Sequence, residues 1–585
     1  MKIRSFKPKP PPSNFQPGAS NPGNLTQVVE QSAGKFDSLK LIPLGGVGDV
    51  TKNMYVYEYK NDILIVDCGM GFPDEAMPGI DLVIPDISYL KDKKSKVRGI
   101  IISHGHEDHI GGLPYIWPEL NCPIFAPNLA AGFIRAKFTE HGLSKDMVKT
   151  TDLNSKLNLG AFNVSFYRVT HSIPDATGIV LDTPVGTIVH QADFKLDWTP
   201  VDGQVAEIGK LGVVGEKGVL LLLIDSLRIE KEGYSLSEKS IQPTFEEIEK
   251  KAQGKLIITT NSSNISRIQQ AINVAVASDR KVSLVGRSME GNFQVARDLG
   301  YLDVPPNLVV PMEEMKRIAD EKLLVIIAGS QGQPGSALSR VANNDHRFLT
   351  LKSKDSVVFS ADPIPSSESA QFALIDKLSR SGVSVYYTGL TDNLHVSGHA
   401  SSEEIKVMIN LARPKFLMPI GATFRHMRAF SQMAQSLGYP EKNILLPEDG
   451  KVIEIRENMA VINGRVEVKN IYVDGLGVGD ISNIVLRDRL VMSEEGIVLV
   501  VLPLDVHTSR LSGEPDIISR GFVLEKESAE LLENAKQVVK SALSRHQDQV
   551  LDWRFLRRHI EENLEKFFYD ETKRRPMVLP VIVEV

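Results

Sequence analysis

From Leu39 onward, short β-branched and aliphatic runs recur along the chain: Met54–Tyr59, 63–67, 99–103, 187–190 and 219–224. Each has the length and composition of a buried strand, and helical stretches fall between them. The alternation predicts an α/β sandwich. A helical pattern over 237–249 opens a second α/β unit, in which 256–260, Lys281–Val285 and Leu323–Ile327 read as parallel-type strands. Near the C-terminus, Leu531, Leu532, Ala535, Val538, Val539, Ala542 and Leu543 lie on one helical face. That stripe suits a domain core or a subunit interface.

Residues 1–36 break the pattern. They hold Pro8, Pro10, Pro11, Pro12, Pro17 and Pro22 with no apolar periodicity, and predict a disordered tail. Lys2, Arg4, Lys7 and Lys9 precede the first acidic residue, Glu30, so the tail is basic. It reads as a flexible extension or as a contact for phosphates.

At 585 residues the chain has room for several cores. A hydrophobic content of 42% and a charged content of 24% are ordinary for a globular protein. No apolar run reaches the roughly 18 residues of a membrane span, and no apolar segment marks the start for export. The expectation is a cytoplasmic protein with no membrane partner. Cys68 and Cys122 are the only cysteines, which excludes a disulfide framework and a cysteine metal site. Each should be a small buried apolar residue. A net charge of −6 gives no global argument for nucleic acid, so any RNA must meet a local groove.

The chemistry concentrates in Ser103-His104-Gly105-His106-Glu107-Asp108-His109, which follows the apolar strand at 99–103. Three of the chain's 13 histidines fall within six positions there. Clustered imidazole and carboxylate at a strand end suit two metal ions, with Zn²⁺ the expected species. Such a site activates water, so hydrolysis is the leading reading. Gly-rich turns at Gly46-Val47-Gly48 and at 329–335 lack the full phosphate-loop or dinucleotide pattern and carry no nucleotide.

These motifs occur in a set. Leu44-Gly45-Gly46-Val47-Gly48, Ile65-Val66-Asp67-Cys68-Gly69, the run Gly79 to Asp86 and HGHEDHIGG are followed by Thr170-His171-Ser172-Ile173-Pro174-Asp175 and Ala192-Asp193-Phe194-Lys195. Ser336-Ala337-Leu338-Ser339-Arg340 and His395-Val396-Ser397-Gly398-His399-Ala400 complete it. Together they resemble the RNA-processing branch of the metallo-β-lactamase fold, the ribonuclease J family, over roughly 38–585.

The resemblance implies a metallo-β-lactamase αββα sandwich in two parts, 37–237 and 388–460, split by an inserted β-CASP α/β domain at 238–387. A connector at 461–490 and a small C-terminal α/β domain for assembly at 491–585 follow. It also implies residue roles. His104, His106 and His171 would hold the first Zn²⁺, Asp108 and His109 the second, with Asp193 bridging. Asp67 would orient a ligand histidine without binding metal. Asp108, His399 and Asp225 carry the catalytic assignment, His399 protonating the leaving oxygen. Asp225 also reads as a turn cap. His395, Val396, Ser397, Gly398 and His399 would cradle a substrate phosphate. Ser262, Ser263 and Asn264 would hold phosphates from the insert side, or serve as a helix N-cap. Asp474 would belong to a structural Ca²⁺ site, or to a plain turn.

The implied activity is 5′-to-3′ exonuclease and endonuclease cleavage of single-stranded RNA bearing a 5′-monophosphate, in rRNA maturation and mRNA decay. The implied partners are a second copy of the chain in a homodimer or homotetramer, a paralogous ribonuclease and an RNA helicase. The sequence departs from the family at three places: Ser226-Leu227 after Asp225, Gln333 for a glutamate, and Gly421. Aligned on Pro419 and Arg425, the histidine that completes the second metal site falls on Gly421. The second ion should then bind weakly, or the site should take Mn²⁺ or Mg²⁺. His426 reads as an exposed histidine or as a substitute ligand. A second function class follows, a reduced-activity or non-catalytic RNA-binding subunit.

Overall fold

The computed structural model describes residues 37–74, 76–364, 367–475, 477–505, 512–523, 528–544 and 553–584. The proline-rich tail expected at 1–36 lies outside them. Two sheets form the main body. The first runs in the order Met459–Arg465, Lys451–Arg456, Leu39–Gly45, Met54–Tyr59, Asp62–Val66, Val97–Ile101, Ile124–Pro127, Val148–Thr151. The second runs Pro414–Ile420, Val219–Asp225, Gly186–Gln191, Thr177–Thr183, Phe162–Arg168, Leu157–Leu159.

Their inner faces share one core, in which Leu41, Tyr57 and Leu64 of the first sheet meet Phe166, Leu181, Leu221 and Met418 of the second. Outside the second sheet, the helices Ile208–Lys217, Ser402–Ala412 and Phe424–Ser436 bury Leu211, Met408 and Phe430. Outside the first, Leu113–Leu120 and Asn128–Glu140 contribute Ile116, Phe133 and Phe138. The layering is αββα. The strand Val219–Asp225, fully buried along its length, is flanked by parallel neighbours on both sides, which is why it reads as one continuous apolar run.

The insert is a five-stranded sheet in the order Lys281–Val285, Leu323–Ile327, Leu256–Thr259, Ser356–Phe359, Ser384–Tyr386, all parallel. Its helices cover both faces, and one face is continuous with the core of the first domain through Ile173, Ile268 and Phe293. The helices Asn128–Glu140 and Arg287–Asp298 cross at Gly132. A side chain there would meet Val295 Cγ1 at 2.7 Å and Leu299 Cδ1 at 2.8 Å, so glycine sets how closely the two domains approach.

The segment expected as a connector is ordered along part of its length. Ile471–Asp474 adds to the strand Leu82–Ile84 through the pairs Ile471↔Ile84, Tyr472↔Val83 and Val473↔Leu82. Asp474, the residue of the Ca²⁺ expectation, ends this strand and pairs with Arg489, whose Nη2 sits 2.6 Å from Asp474 Oδ2. Beyond it, the sheet Asp516–Arg520, Ile497–Leu504, Met577–Glu584 packs against the helices Ala529–Ser544 and Trp553–Thr572. Leu532, Ala535 and Val539 of the amphipathic stripe join Val500 and Leu564 in that domain's own core. Cys68 and Cys122 are buried and free. Among the described residues no helix is long and apolar enough to cross a membrane.

Candidate dinuclear metal centre

All the sequence-assigned metal ligands converge at one edge of the sandwich, where the strands of both sheets end. The strand Val97–Ile101 delivers Ser103 and His104. His106 then occupies the N-cap position of the one-turn helix Glu107–Ile110, so that Asp108 and His109 leave its first turn side by side. His171 follows Phe162–Arg168, Asp193 follows Gly186–Gln191, and Asp225 ends Val219–Asp225.

Among the described residues three groups of donor atoms form, each with its atoms within 4.8 Å of one another: His104, His106, His171 and Asp193, then Asp108, His109 and Asp193, and third Asp193, Asp225 and His399. Asp193 Oδ2 lies 3.7 Å from His104 Nε2 and 3.6 Å from His171 Nε2, while Oδ1 lies 3.5 Å from His109 Nε2. One carboxylate thus faces the first two groups, one oxygen to each. His109 Nε2 is also 3.5 Å from Asp108 Oδ2.

The remaining ring nitrogens are held from behind. Asp67 Oδ2 lies 2.8 Å from His109 Nδ1, Ser103 Oγ lies 3.0 Å from His104 Nδ1, and Ser172 Oγ lies 3.3 Å from His106 Nε2. The Gly398 carbonyl accepts from His171 Nδ1 at 2.7 Å. Asp67 therefore orients a histidine. It also accepts from the Ser103 backbone N–H and hydroxyl, at 2.8 Å each. Buried partners of this kind fix which nitrogen faces inward.

The electrostatics mark the cluster as built for cations. Burial, reinforced by neighbouring imidazoles, holds His104 and His171 well below the ordinary histidine range. Burial opposes the charged form of Asp193 too, yet His109, His399 and His104 hold its carboxyl well below the usual range. His109 runs the other way: burial opposes its charged form, but Asp108, Asp193 and Asp67 hold it well above the ordinary range, so it gives up a proton when a metal binds. The donor set fits Zn²⁺ or another divalent ion.

Beside the metal groups stands a pair. Asp225 Oδ2 lies 2.8 Å from His399 Nδ1, and His399 Nε2 points at Asp193 Oδ2 from 3.9 Å. Burial alone would lower the His399 pKa, but Asp225 and Asp193 outweigh it and push it up to about 9. Burial raises the Asp225 carboxyl, while Asp225 Oδ1 also accepts from the Leu227 N–H at 2.9 Å, so it caps the turn as well.

Gly421 lies at the same edge. A Cβ added there would stand 3.8 Å from both Asp193 Oδ1 and Asp225 Oδ1, with φ at +60°. A side chain at this position would project beside the second group, as the alignment implied. His426 is not the exposed histidine expected. It is 5% exposed, pairs with Thr423 Oγ1 at 3.0 Å and lies 3.6 Å from Glu230 Oε2, outside these donor groups.

The substrate assignments divide. Ser397 Oγ accepts from the His399 N–H at 3.1 Å and so shapes that turn. Val396 is buried, with its carbonyl 3.3 Å from Arg267 Nη2. Asn264 takes the N-cap alternative: it is buried, and its side chain accepts from the Arg267 N–H at 3.0 Å at the start of Ile265–Ala277. Ser262 and Ser263 are the partly exposed residues of that turn, with Ser262 Oγ accepting from Asn292 Nδ2 at 3.2 Å.

Sequence reasoning missed three residues. Asn53 donates to the Asp108 carbonyl at 3.2 Å and lies 3.4 Å from His109 Nε2, but a lone asparagine in a loop gives no signal. Glu404, fully buried, accepts from the N–H groups of Leu196, Ser235 and Ser401 at 2.7, 2.7 and 2.8 Å. It ties the Asp193 strand, the loop before the insert and the His399 turn together. Its signal was readable: Ser401-x-x-Glu404 is a capping box. Arg267 is the third, 1% exposed at the domain junction.

Four sequence families match the chain: Metallo-beta-lactamase superfamily at residues 47–213, Ribonuclease J beta-CASP domain at 253–378, Zn-dependent metallo-hydrolase RNA specificity domain at 382–447, and Ribonuclease J C-terminal domain at 484–585. The chain is 39% identical to Ribonuclease J2 of Bacillus subtilis (strain 168), over 94% of this chain and 99% of that one. It is 38% identical to Ribonuclease J 1 of Streptococcus pyogenes serotype M3, over 94% and 98%. Against Ribonuclease J 2 of Staphylococcus aureus (strain NCTC 8325 / PS 47) it is 35% identical over 94% and 99%. A crystal structure of a protein of unknown function from Enterococcus faecalis V583 shares the fold, with a TM-score of 0.51 at 16% identity, over 72% of this chain and all of the other.

Proposed function

Because the chain belongs to the ribonuclease J family, with the metallo-β-lactamase, β-CASP and C-terminal domains of that family, we propose that it degrades single-stranded RNA from a 5′-monophosphate end and also cuts internally. The observation that carries this reading is the complete first donor group standing beside a carboxylate-held His399.

His104, His106, His171 and Asp193 would hold one Zn²⁺, and Asp108, His109 and Asp193 a second, weaker ion, with Mn²⁺ or Mg²⁺ as alternatives. Lewis-acid stabilisation of charge developing on the phosphoryl oxygens is what such ions supply when bound. The chain's own residues do the rest. Asp225 holds His399 protonated at neutral pH, so Nε2–H is the proton source for the departing ribose oxygen. The turn His395 to His399 bounds the place where the phosphate sits, and Glu404 and Ser397 keep that turn in register. Work in RNA maturation and decay in the cytoplasm, as a homodimer or homotetramer with a paralogous ribonuclease or an RNA helicase, completes the proposal.

The test is digestion of 5′-monophosphorylated RNA by purified protein with added Zn²⁺ or Mn²⁺, which Asp108→Ala should abolish. One specific feature favours a second reading, a reduced-activity or non-catalytic RNA-binding subunit: Gly421 presents no side chain to the second donor group. Retention of RNA binding without digestion under any divalent metal would select that reading.

A further inference from the structure

The other histidine of the phosphate turn, His395, is held quite differently from His399. Arg267, in the first turn of Ile265–Ala277, reaches from the insert into the domain junction, and its guanidinium is almost wholly enclosed. Nη1 lies 2.9 Å from His395 Nδ1 and donates to the Ser360 carbonyl at 2.6 Å. Nη2 donates to both carboxylate oxygens of Glu238, at 2.8 and 3.0 Å, and to the Val396 carbonyl at 3.3 Å.

A guanidinium has donors only and stays charged at every relevant pH. The His395 nitrogen it meets must therefore present its lone pair. That leaves the ring's one proton on Nε2, which belongs to a side chain 19% exposed and lies 3.8 Å from Asp362 Oδ2. We propose that Arg267 is a positioning residue that fixes His395 as the neutral Nε2–H tautomer, making it a permanent hydrogen-bond donor to a substrate phosphate oxygen and reserving proton transfer for His399.

This rests on the ribonuclease reading above. The charges facing His395 are Arg267, Arg228, Lys195 and His399 on one side and Asp362 on the other. Burial first, then Arg267, Arg228 and Lys195, hold it well below the ordinary histidine range, in agreement with the geometry. The two imidazoles of one turn are thus opposite devices: His399 leans on a carboxylate and is charged, while His395 leans on a guanidinium and is not. Glu238 neutralises Arg267 without touching His395, so the buried pair serves as a mount for the ring.

The experiment is histidine side-chain ¹⁵N NMR of the full-length protein, with His395→Ala assigning the signal, read from pH 5.5 to 8.5. The expected result is an unprotonated Nδ1 and protonated Nε2 throughout. In Arg267→Met the ring should titrate at higher pH than in the unaltered protein, with Nδ1 free to carry a proton. Arg267→Gln combined with Glu238→Gln replaces the buried ion pair by an amide pair and keeps the test open if the methionine variant does not fold. Either variant should raise KM for 5′-monophosphorylated RNA about tenfold at pH 8 while kcat changes less than about threefold, the size expected for one misdirected charge-assisted contact. In the His395→Ala background the Arg267 change should shift KM no further, which a merely structural role would not produce. A protonated Nδ1 in the unaltered protein, or the same titration with and without Arg267, overturns the proposal. The expected tautomer in a protein that digests no RNA would overturn the functional reading and leave the assignment of His395 standing.

Discussion

The group His104, His106, His171 and Asp193 offers three imidazole nitrogens and one carboxylate, whereas Asp108, His109 and Asp193 offer one imidazole and two carboxylates. The first is nitrogen-rich and closed by four side chains. The second is oxygen-rich, carries more negative charge and faces a glycine. By donor chemistry the first suits Zn²⁺, while the second leans toward harder ions such as Mn²⁺ or Mg²⁺. Gly421 adopts φ +60° beside Asp193 and adds no side chain to the second set.

The comparison breaks most completely at the shared residue. Asp193→Ala should remove both ions by mass-spectrometric metal analysis and lower kcat/KM at least 10³-fold, on the order of 4 kcal/mol of transition-state stabilisation. Loss of one ion only would mean that Asp193 does not bridge.

Next in size is the Asp225–His399 pair. Asp225→Asn should reduce kcat about 10²-fold. With the carboxylate gone, the His399 pKa falls from about 9, so the alkaline limb of the rate profile should move to lower pH. The same shift has a stability consequence in chelator-treated protein. The folded His399 pKa lies above the ordinary 6.5, so the pair's contribution is fully present below about 6.5 and is lost as pH rises through about 9. Denaturant titrations at pH 6 and 9.5 should show that difference, and Asp225→Asn should flatten it.

Asp67→Asn tests the second group alone, since Asp67 backs His109 while Ser103, Ser172 and the Gly398 carbonyl back the others. The second ion should weaken about 10- to 100-fold in competition titrations, with the first largely retained. Equal loss of both would dissolve the distinction between the groups.

The smallest effect sharpens the comparison by filling the gap. Gly421→His should raise metal stoichiometry toward two per chain and tighten the second ion about tenfold, against a backbone strain of about 1–2 kcal/mol for a side chain at positive φ. An unchanged stoichiometry would mean that the position does not complete the site.

Local chemistry made much of this legible. The strands Met54–Tyr59, Lys281–Val285 and Leu323–Ile327 lie where their apolar runs place them, because a largely buried strand leaves a largely apolar record. The division of His104, His106, Asp108 and His109 into two groups came from the family resemblance, and their spacing agrees with it, since a strand followed by a one-turn helix decides which side chains share a face. What escaped was set by contacts distant in sequence. His426 reads as exposed until Thr423 and Glu230 enclose it. Glu404 acts 208 positions from Leu196, and no local pattern carries that information.

The strand Ile471–Asp474 lies far from the metal ligands along the chain but close to them in the hydrogen-bond network. Tyr472 pairs with Val83, Val83 bridges to Gly71, and the neighbouring Met70 N–H bonds to the Glu107 carbonyl in the helix that presents Asp108 and His109. The connector that leads to the C-terminal domain is thus stitched by backbone to the loop behind the second donor group. Proteolysis within 461–490 should unfasten more than an appendage, because it would strip a strand from the platform on which that group rests.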